Sequence, residues 1–129
     1  DGVSNSNTWY FEQMLGWTGI CVEADPQMFT WMQSSSDRSS GVNAVVTDRN
    51  VNVSFTRELD AGLKSGVTAT LDPKVAKNHR TEQVTLPGVT PDRLLRDHLS
   101  SGNSNVIDYV AVDIVGHELR VMRHWPFDE

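Results

Sequence analysis

Apolar residues recur along the chain in short groups whose spacing alternates between that of helices and that of strands. Between positions 9 and 15 they form one stripe of a short predicted helix. Asn7 or Thr8 can cap the start of this helix, and Gly16 can end it. The residues of the stripe are Tyr10, Phe11, Met14 and Leu15.

A predicted strand with Ile20 and Val22 in its core follows and stops at the acidic residues Glu23 and Asp25. Asp25 before Pro26 is typical of a helix start, because aspartate caps backbone amides and proline suits the first helical turn. A second helix is therefore expected, with three apolar residues: Met28, Phe29 and Met32.

Later segments continue the alternation. The sequence predicts buried strands at 42–48, 83–89 and 106–116, the last being the strongest, and a half-exposed strand at 51–55. Thr90-Pro91 begins a helix with an apolar face of leucines, and 117–125 has a helical pattern. Residues 57–82 show no periodicity, which indicates either a substrate loop or short strands.

Helices that alternate with apolar strands favour an α/β layer with a mainly parallel sheet, in one domain spanning 1–129. The composition, 38% hydrophobic and 22% charged, is that of a globular protein. The net charge of −6 argues against nucleic acid or an anionic membrane as the main partner, and no apolar run is long enough for a membrane span. Cys21 is the single cysteine, which is compatible with a cytoplasmic location.

Three predicted strands end in acids: Glu23, Asp48 and Asp113. Ligands of open α/β sheets lie beyond the carboxyl ends of the strands, so these acids predict a polar ligand; alternatively each only caps a helix. Glu23 follows Gly2 by 21 residues, near the spacing between a nucleotide-binding glycine turn and the acid that binds the ribose. By itself this spacing also allows a nicotinamide-dependent oxidoreductase.

The segment "VDIVGHEL" brings Asp113, His117 and Glu118 together in sequence. Asp113 could bind a substrate hydroxyl, act as a general base or help to hold a metal, and His117 could assist proton removal. Alternatively, His117 and Glu118 face solvent in the first turn of a helix. The four histidines lack metal-ligand spacing, so no metal site is predicted.

Two stretches together, "DGVSNSNTWYFEQMLGWTGICVEADP" and "IDYVAVDIVGHELRVM", resemble the FkbM family of S-adenosylmethionine-dependent methyltransferases. The family has D-G-x-x-x-S-N-T, a helix ending in L-G-W-x-G, a strand V-E-A before a proline, and a later strand ending in D-x-E-G-x-E. The first match is dense over about 25 residues.

The resemblance implies a Rossmann-like class I methyltransferase sheet, S-adenosylmethionine as cofactor, and methyl transfer to a hydroxyl of a small molecule or glycan. It implies that Asp1, Gly2 and Asn7 belong to the cofactor loop. It also implies that Glu23 holds the ribose and that Asp48 lies near the adenine. Asp113 and His117 would then lie at the reaction side.

The sequence departs from the family pattern in two ways. Val115 replaces the glutamate of D-x-E-G, and the first strand, the first loop glycines and the last strands of the family are missing from the match. We therefore expect a methyltransferase fragment truncated at both ends, with its oligomeric state open. The alternative is a degenerate, non-catalytic member that binds a ligand or a protein.

Overall fold

The computed structural model describes residues 6–35, 40–99 and 106–127 and has a mixed α/β fold. Its helices are α1 (Trp9–Leu15), α2 (Pro26–Ser35), α3 (Lys74–Asn78), α4 (Pro91–His98) and α5 (Glu118–Met122). Its strands are β1 (Cys21–Glu23), β2 (Gly41–Asn43), β3 (Val45–Val46), β4 (Asn52–Glu58), β5 (Gly66–Val67) and β6 (Thr81–Val89).

The ends of three helices follow from their sequences. Gly16 ends α1 in the left-handed conformation at φ 70°, which a residue without a Cβ adopts at little cost. Asp25 Oδ1 caps α2 by accepting from the amides of Gln27 and Met28 at 2.8 and 3.3 Å. Thr90 caps α4 in the same way, with Pro91 at the first position of the helix.

The strands form two sheets. β1 and β2 are parallel and pair Val22 with Val42. The second sheet has the order β3-β6-β4-β5, in which only β3 and β6 are parallel. The expectation of a mainly parallel sheet therefore holds for the β1–β2 and β3–β6 pairs and is wrong for the pairs that β4 makes. One antiparallel partner of β4, the strand β5, lies within residues 57–82, where the sequence shows no pattern, and the other, β6, begins there and covers the predicted strand at 83–89.

The predicted strand at 42–48 divides at Ala44. Its first half pairs with β1 and its second half with β6, so one continuous segment belongs to both sheets. The core forms under the second sheet and consists of Val45, Phe55, Val67 and Leu86, with Ala24, Val53 and Val84 packed against it.

The prediction of a strand at 106–116 is wrong. Residues 106–114 form no strand, and Val106, Tyr109 and Val110 are 69%, 44% and 43% exposed. An apolar pattern reports a tendency to be buried, but a strand also needs a neighbouring backbone to bond its amides and carbonyls. Across the described ranges, no helix has the length and apolar character needed to cross a membrane.

Candidate functional site

Glu23 lies at the carboxyl end of β1, where the sequence predicts a ligand. Its Oε1 accepts from the Asp25 amide at 2.8 Å, and Asn43 Nδ2 donates to the backbone oxygens of Glu23 and Ala24 at 2.8 and 3.1 Å. Burial raises the pKa of the Glu23 carboxyl. No arginine, lysine or histidine in the described part of the chain forms an ion pair with it, so a ligand that donates hydrogen bonds would stabilise its ionised form.

Asp48 follows β3 and is held from both sides. Thr47 Oγ1 donates to its Oδ1 at 3.1 Å, and Arg120 Nε of α5 donates to its Oδ2 at 2.9 Å. Burial disfavours the charged form, but the hydrogen bonds from Arg120 and Thr47 outweigh it and lower the pKa of Asp48. Asp48 therefore stays ionised and anchors α5 to the end of β3.

His117 is 2% exposed and directly precedes α5. The alternative that it faces solvent in a first helical turn is therefore wrong. Its Nε2 lies 3.1 Å from Thr47 Oγ1, and its Nδ1 lies 3.1 Å from Thr70 Oγ1. Because Thr47 donates its one hydroxyl hydrogen to Asp48, it accepts from Nε2, while the single Thr70 hydroxyl hydrogen is shared between Nδ1 and the Val67 carbonyl oxygen 3.3 Å away. A hydrogen-bond chain thus runs from Thr70 through His117 and Thr47 to Asp48.

Both ring nitrogens of His117 are engaged in this chain. Burial, followed by the positive charge of Arg120, lowers the pKa of His117; Asp48 and Glu118 act in the opposite direction with smaller effect. The neutral imidazole is therefore the form that the fold favours, and its position suits hydrogen bonding better than proton removal from a substrate.

The lowered pKa of His117 makes folding stability depend on pH. The unfolded chain binds a proton at this histidine more readily than the folded chain does, so the contribution of His117 is complete above about pH 6.5 and falls below it. We expect urea unfolding to give a lower free energy at pH 5.5 than at pH 7.5. The loss should be smaller in His117→Gln, whereas His98→Gln, an exposed histidine of α4, should lose as much as the parent. An equal loss in all three proteins would contradict this assignment.

A turn of unusual conformation carries the chain into His117. Val115 has φ 31° and Gly116 has φ 81°. A left-handed conformation is rare for a β-branched residue and is a sign of local strain. A Cβ on Gly116 would lie 3.0 Å from the Thr70 carbonyl oxygen. Val115, which replaces a glutamate of the FkbM pattern, therefore belongs to the turn that brings the histidine to Thr70.

A cleft of about 230 Å³ opens beside the hydrogen-bond chain. Asp48 and His117 line it together with Arg49 and Arg120, and valine side chains of the second sheet form much of its floor. The structure thus brings two of the predicted site residues, Asp48 and His117, to one cleft.

The other predicted residues are placed apart from this cleft or are not described. Asn7 is exposed before α1, where Ser6 Oγ rather than Asn7 accepts from the amides of Thr8 and Trp9. Asp113 is exposed on residues 106–114, which form no strand. Asp1 and Gly2 lie outside the described residues. No described contact joins Glu23 or Asp113 to Asp48 or His117.

Three residues that organise the cleft were missed in the sequence. Thr47 stands beside the predicted Asp48, and a hydroxyl next to a strand-end acid is the signal that could have found it. Arg120 lies in the predicted last helix and offers no comparable signal. Thr70 lies in the region without periodicity, so its contact with a histidine 47 positions away could not be inferred.

A second group of ionisable side chains lies at the far end of β4. Glu58, Asp60 and His79 have potential ligand atoms within 4.8 Å of one another. Arg80 Nε donates to Asp60 at 2.8 Å, and Lys64 Nζ lies 3.0 Å from His79 Nε2. The two cations balance the two carboxylates, and the Lys64 ammonium, which only donates, places the His79 hydrogen on Nδ1. The group is therefore a charge-compensated cluster in this structure.

The chain was compared with known proteins. No protein-family model matches it, and neither the curated proteins nor the solved structures contain a match.

Proposed function

We propose that the chain is the cofactor-binding part of an S-adenosylmethionine-dependent methyltransferase with a Rossmann-like arrangement, acting on a hydroxyl of a small molecule or glycan. The observation that carries this proposal is Glu23. It is a half-buried carboxylate at the end of a parallel strand, between α1 and α2, as the FkbM-like sequence pattern requires.

Glu23 fits a ribose for a physical reason. A carboxylate can accept two hydrogen bonds from a vicinal diol, and burial makes those bonds stronger than they would be in water. The Asn43 side chain ties the ends of β1 and β2 together and so fixes the direction of the Glu23 backbone. In this proposal Asn7 and the residues before it contribute to the cofactor loop, and Asp48 lies toward the adenine.

S-adenosylmethionine would supply the methyl group in an in-line displacement, a reaction that depends mainly on positioning. Asp113 is the group that we assign to receive the proton of the acceptor hydroxyl, because its carboxyl is exposed. His117 would hold Thr47 and Asp48 in place, since its two nitrogens already have partners.

The proposal predicts that Glu23 controls binding of S-adenosylhomocysteine, the reaction product. In isothermal titration with this 129-residue chain, we expect Glu23→Ala to weaken binding by roughly tenfold or more, the usual effect of losing a hydrogen bond to a charged group. Glu82→Ala is the matched control, because Glu82 is an exposed glutamate of β6. The parent chain should also prefer adenosine to 2′-deoxyadenosine, and Glu23→Ala should not.

Binding of NAD in place of S-adenosylhomocysteine would contradict the proposal and favour an oxidoreductase. Equal affinity of the parent, Glu23→Ala and Glu82→Ala for S-adenosylhomocysteine would refute the role of Glu23.

A degenerate, non-catalytic binding module is the second candidate. Its support is that residues 106–114 form no strand and that the His117 nitrogens are occupied. Transfer of labelled methyl groups to a panel of hydroxylated small molecules and glycans distinguishes the two candidates. Labelling that is lost in Asp113→Asn supports the enzyme, whereas cofactor binding without labelling of any acceptor supports the module.

A further inference from the structure

The cleft beside His117 has an excess of positive charge at its rim. Arg49 and Arg120 both border it, and Asp48 is the one acid among its lining residues. Asp48 accepts a hydrogen bond from Arg120 Nε at 2.9 Å, while Arg49 Nε remains 3.7 Å away, beyond hydrogen-bond distance. One carboxylate therefore compensates two guanidinium groups, of which Arg49 is 71% exposed.

The floor of the cleft is apolar. Val53 of β4, Val67 of β5 and Ala69 contribute to it. Val67 is also part of the hydrophobic core, so the floor is fixed by the packing of the sheet. The volume of about 230 Å³ is below the range of roughly 300–1,000 Å³ that drug-sized ligands occupy, so the cleft suits a smaller molecule.

We propose that this cleft binds a small carboxylic acid with an aromatic or branched apolar body. The apolar body contacts the valines, and the carboxylate accepts hydrogen bonds from the Arg49 and Arg120 guanidinium groups, which match a carboxylate in geometry. Glu118, the acid at the start of α5, is not among the residues that line the cleft, and its Oε1 accepts from the Gly116 amide at 3.2 Å. This site is separate from the ribose site at Glu23, although Asp48 also lies on the adenine side of the proposed cofactor site, and the inference does not rest on the proposed function.

Benzoate is a suitable probe, and benzamide is its neutral counterpart of nearly the same shape. In titrations followed by amide chemical shifts and calorimetry, we expect benzoate to perturb residues 47–54 and 67–69. We expect it to bind about tenfold more tightly than benzamide, since a charge-assisted hydrogen bond exceeds a neutral one by about that factor.

Two variants separate the contributions of charge and shape. Arg49→Gln should weaken benzoate about tenfold and leave benzamide unchanged, whereas Ala69→Leu should fill the cleft and prevent binding of both. Both substitutions are at exposed positions, so the fold is retained. Arg93→Gln, an exposed arginine on α4 outside the cleft, is the control and should bind benzoate as the parent does.

The inference is overturned if benzoate and benzamide bind equally, if Arg49→Gln changes nothing, or if the shifted amides lie elsewhere. Loss of S-adenosylhomocysteine binding in Glu23→Ala with benzoate binding intact would show that the two proposals stand independently.

Discussion

Asp25→Ala is expected to lower the free energy of unfolding by about 3–5 kcal/mol, the usual cost of removing one partner of a buried ion pair. The Asp25 carboxylate accepts from Arg57 Nε at 2.8 Å and from Nη2 at 3.1 Å. The Asp25 side chain is 4% exposed and the Arg57 side chain is 16% exposed. Without Asp25, α2 loses its cap and the Arg57 guanidinium stays largely buried with Glu82 as its remaining acid.

Urea unfolding of matched variants tests this expectation. Asp25→Asn retains a capping side chain and removes the charge, so it should fall between the parent and Asp25→Ala. Glu82→Gln alters the exposed acid on the same arginine and should cost less than about 1 kcal/mol. A loss below about 1 kcal/mol in Asp25→Ala would show that the ion pair contributes little.

The pH dependence of this pair has a definite direction. Burial opposes ionisation of Asp25, but the hydrogen bonds from Arg57 and from the amides of α2 prevail and lower its pKa. Its contribution to stability is therefore complete above the unfolded pKa of 3.8 and is lost as the pH falls through the folded pKa. This loss of stability occurs in strongly acidic solution. It is distinct from the loss of stability that His117 causes below pH 6.5.

Gly88→Ala is expected to destabilise the chain by about 3 kcal/mol or more, because overpacking would here act together with a lost backbone hydrogen bond. A Cβ on Gly88 would overlap the Val51 carbonyl oxygen, and it would lie 2.8 Å from Thr47 Cγ2 and 3.2 Å from the Arg49 carbonyl oxygen. The Gly88 amide also donates to the Val51 carbonyl at 3.0 Å. Glycine at this position lets residues 47–51 lie against β6.

Gly19→Ala is the matched control, since a Cβ there meets no atom within 4 Å. Its urea midpoint should stay close to that of the parent. The two substitutions add the same methyl group, so a difference in midpoint measures the close approach at Gly88. Similar midpoints for both variants would mean that the 47–51 segment can move away without cost, and that Thr47 and Asp48 are not held by β6.

Local sequence patterns predicted the elements that local interactions stabilise. α1, α2 and α4 lie where the sequence predicts them; Gly16 ends α1, and Asp25 and Thr90 cap α2 and α4, as expected. The predicted cap of α1 by Asn7 or Thr8 is wrong, because Ser6 Oγ accepts from the amides there. β1 and β6 were identified by their apolar content and by the acids or turn residues beside them. In each case the information lies within a few neighbouring residues.

Pairing between distant segments could not be inferred in this way. The apolar residues 106–114 satisfy a strand pattern, but a pattern does not supply a hydrogen-bonding neighbour. Residues 57–82 contain β5, α3 and the start of β6, which form because β4 aligns with β6 in antiparallel register from Glu58–Thr81 to Asn52–Pro87. Residues 57–82 therefore lack hydrophobic periodicity because their strands and helix are short and are stabilised by contacts with distant segments.

The same distinction between local and distant interactions applies to the residues of the candidate site. Glu23 and Asp48 were identified because strand-end acids are visible in sequence, and the structure places Glu23 at the end of β1 and Asp48 shortly after β3. The burial of His117 could not be identified from the sequence, because it depends on Thr47 and Thr70 from two other parts of the chain. The Val115–Gly116 turn that positions it is likewise a property of the fold rather than of the local pattern.

The segment shared by the two sheets also bears on how the chain folds. Residue 41 pairs with residue 21, whereas residue 45 pairs with residue 88. The second pairing closes a much longer loop, and its entropic cost must be met before the parallel β3–β6 contact gives any stabilisation. Formation of β3 thus joins the β1–β2 pair to the second sheet, and parallel pairing of such distant segments favours slow folding.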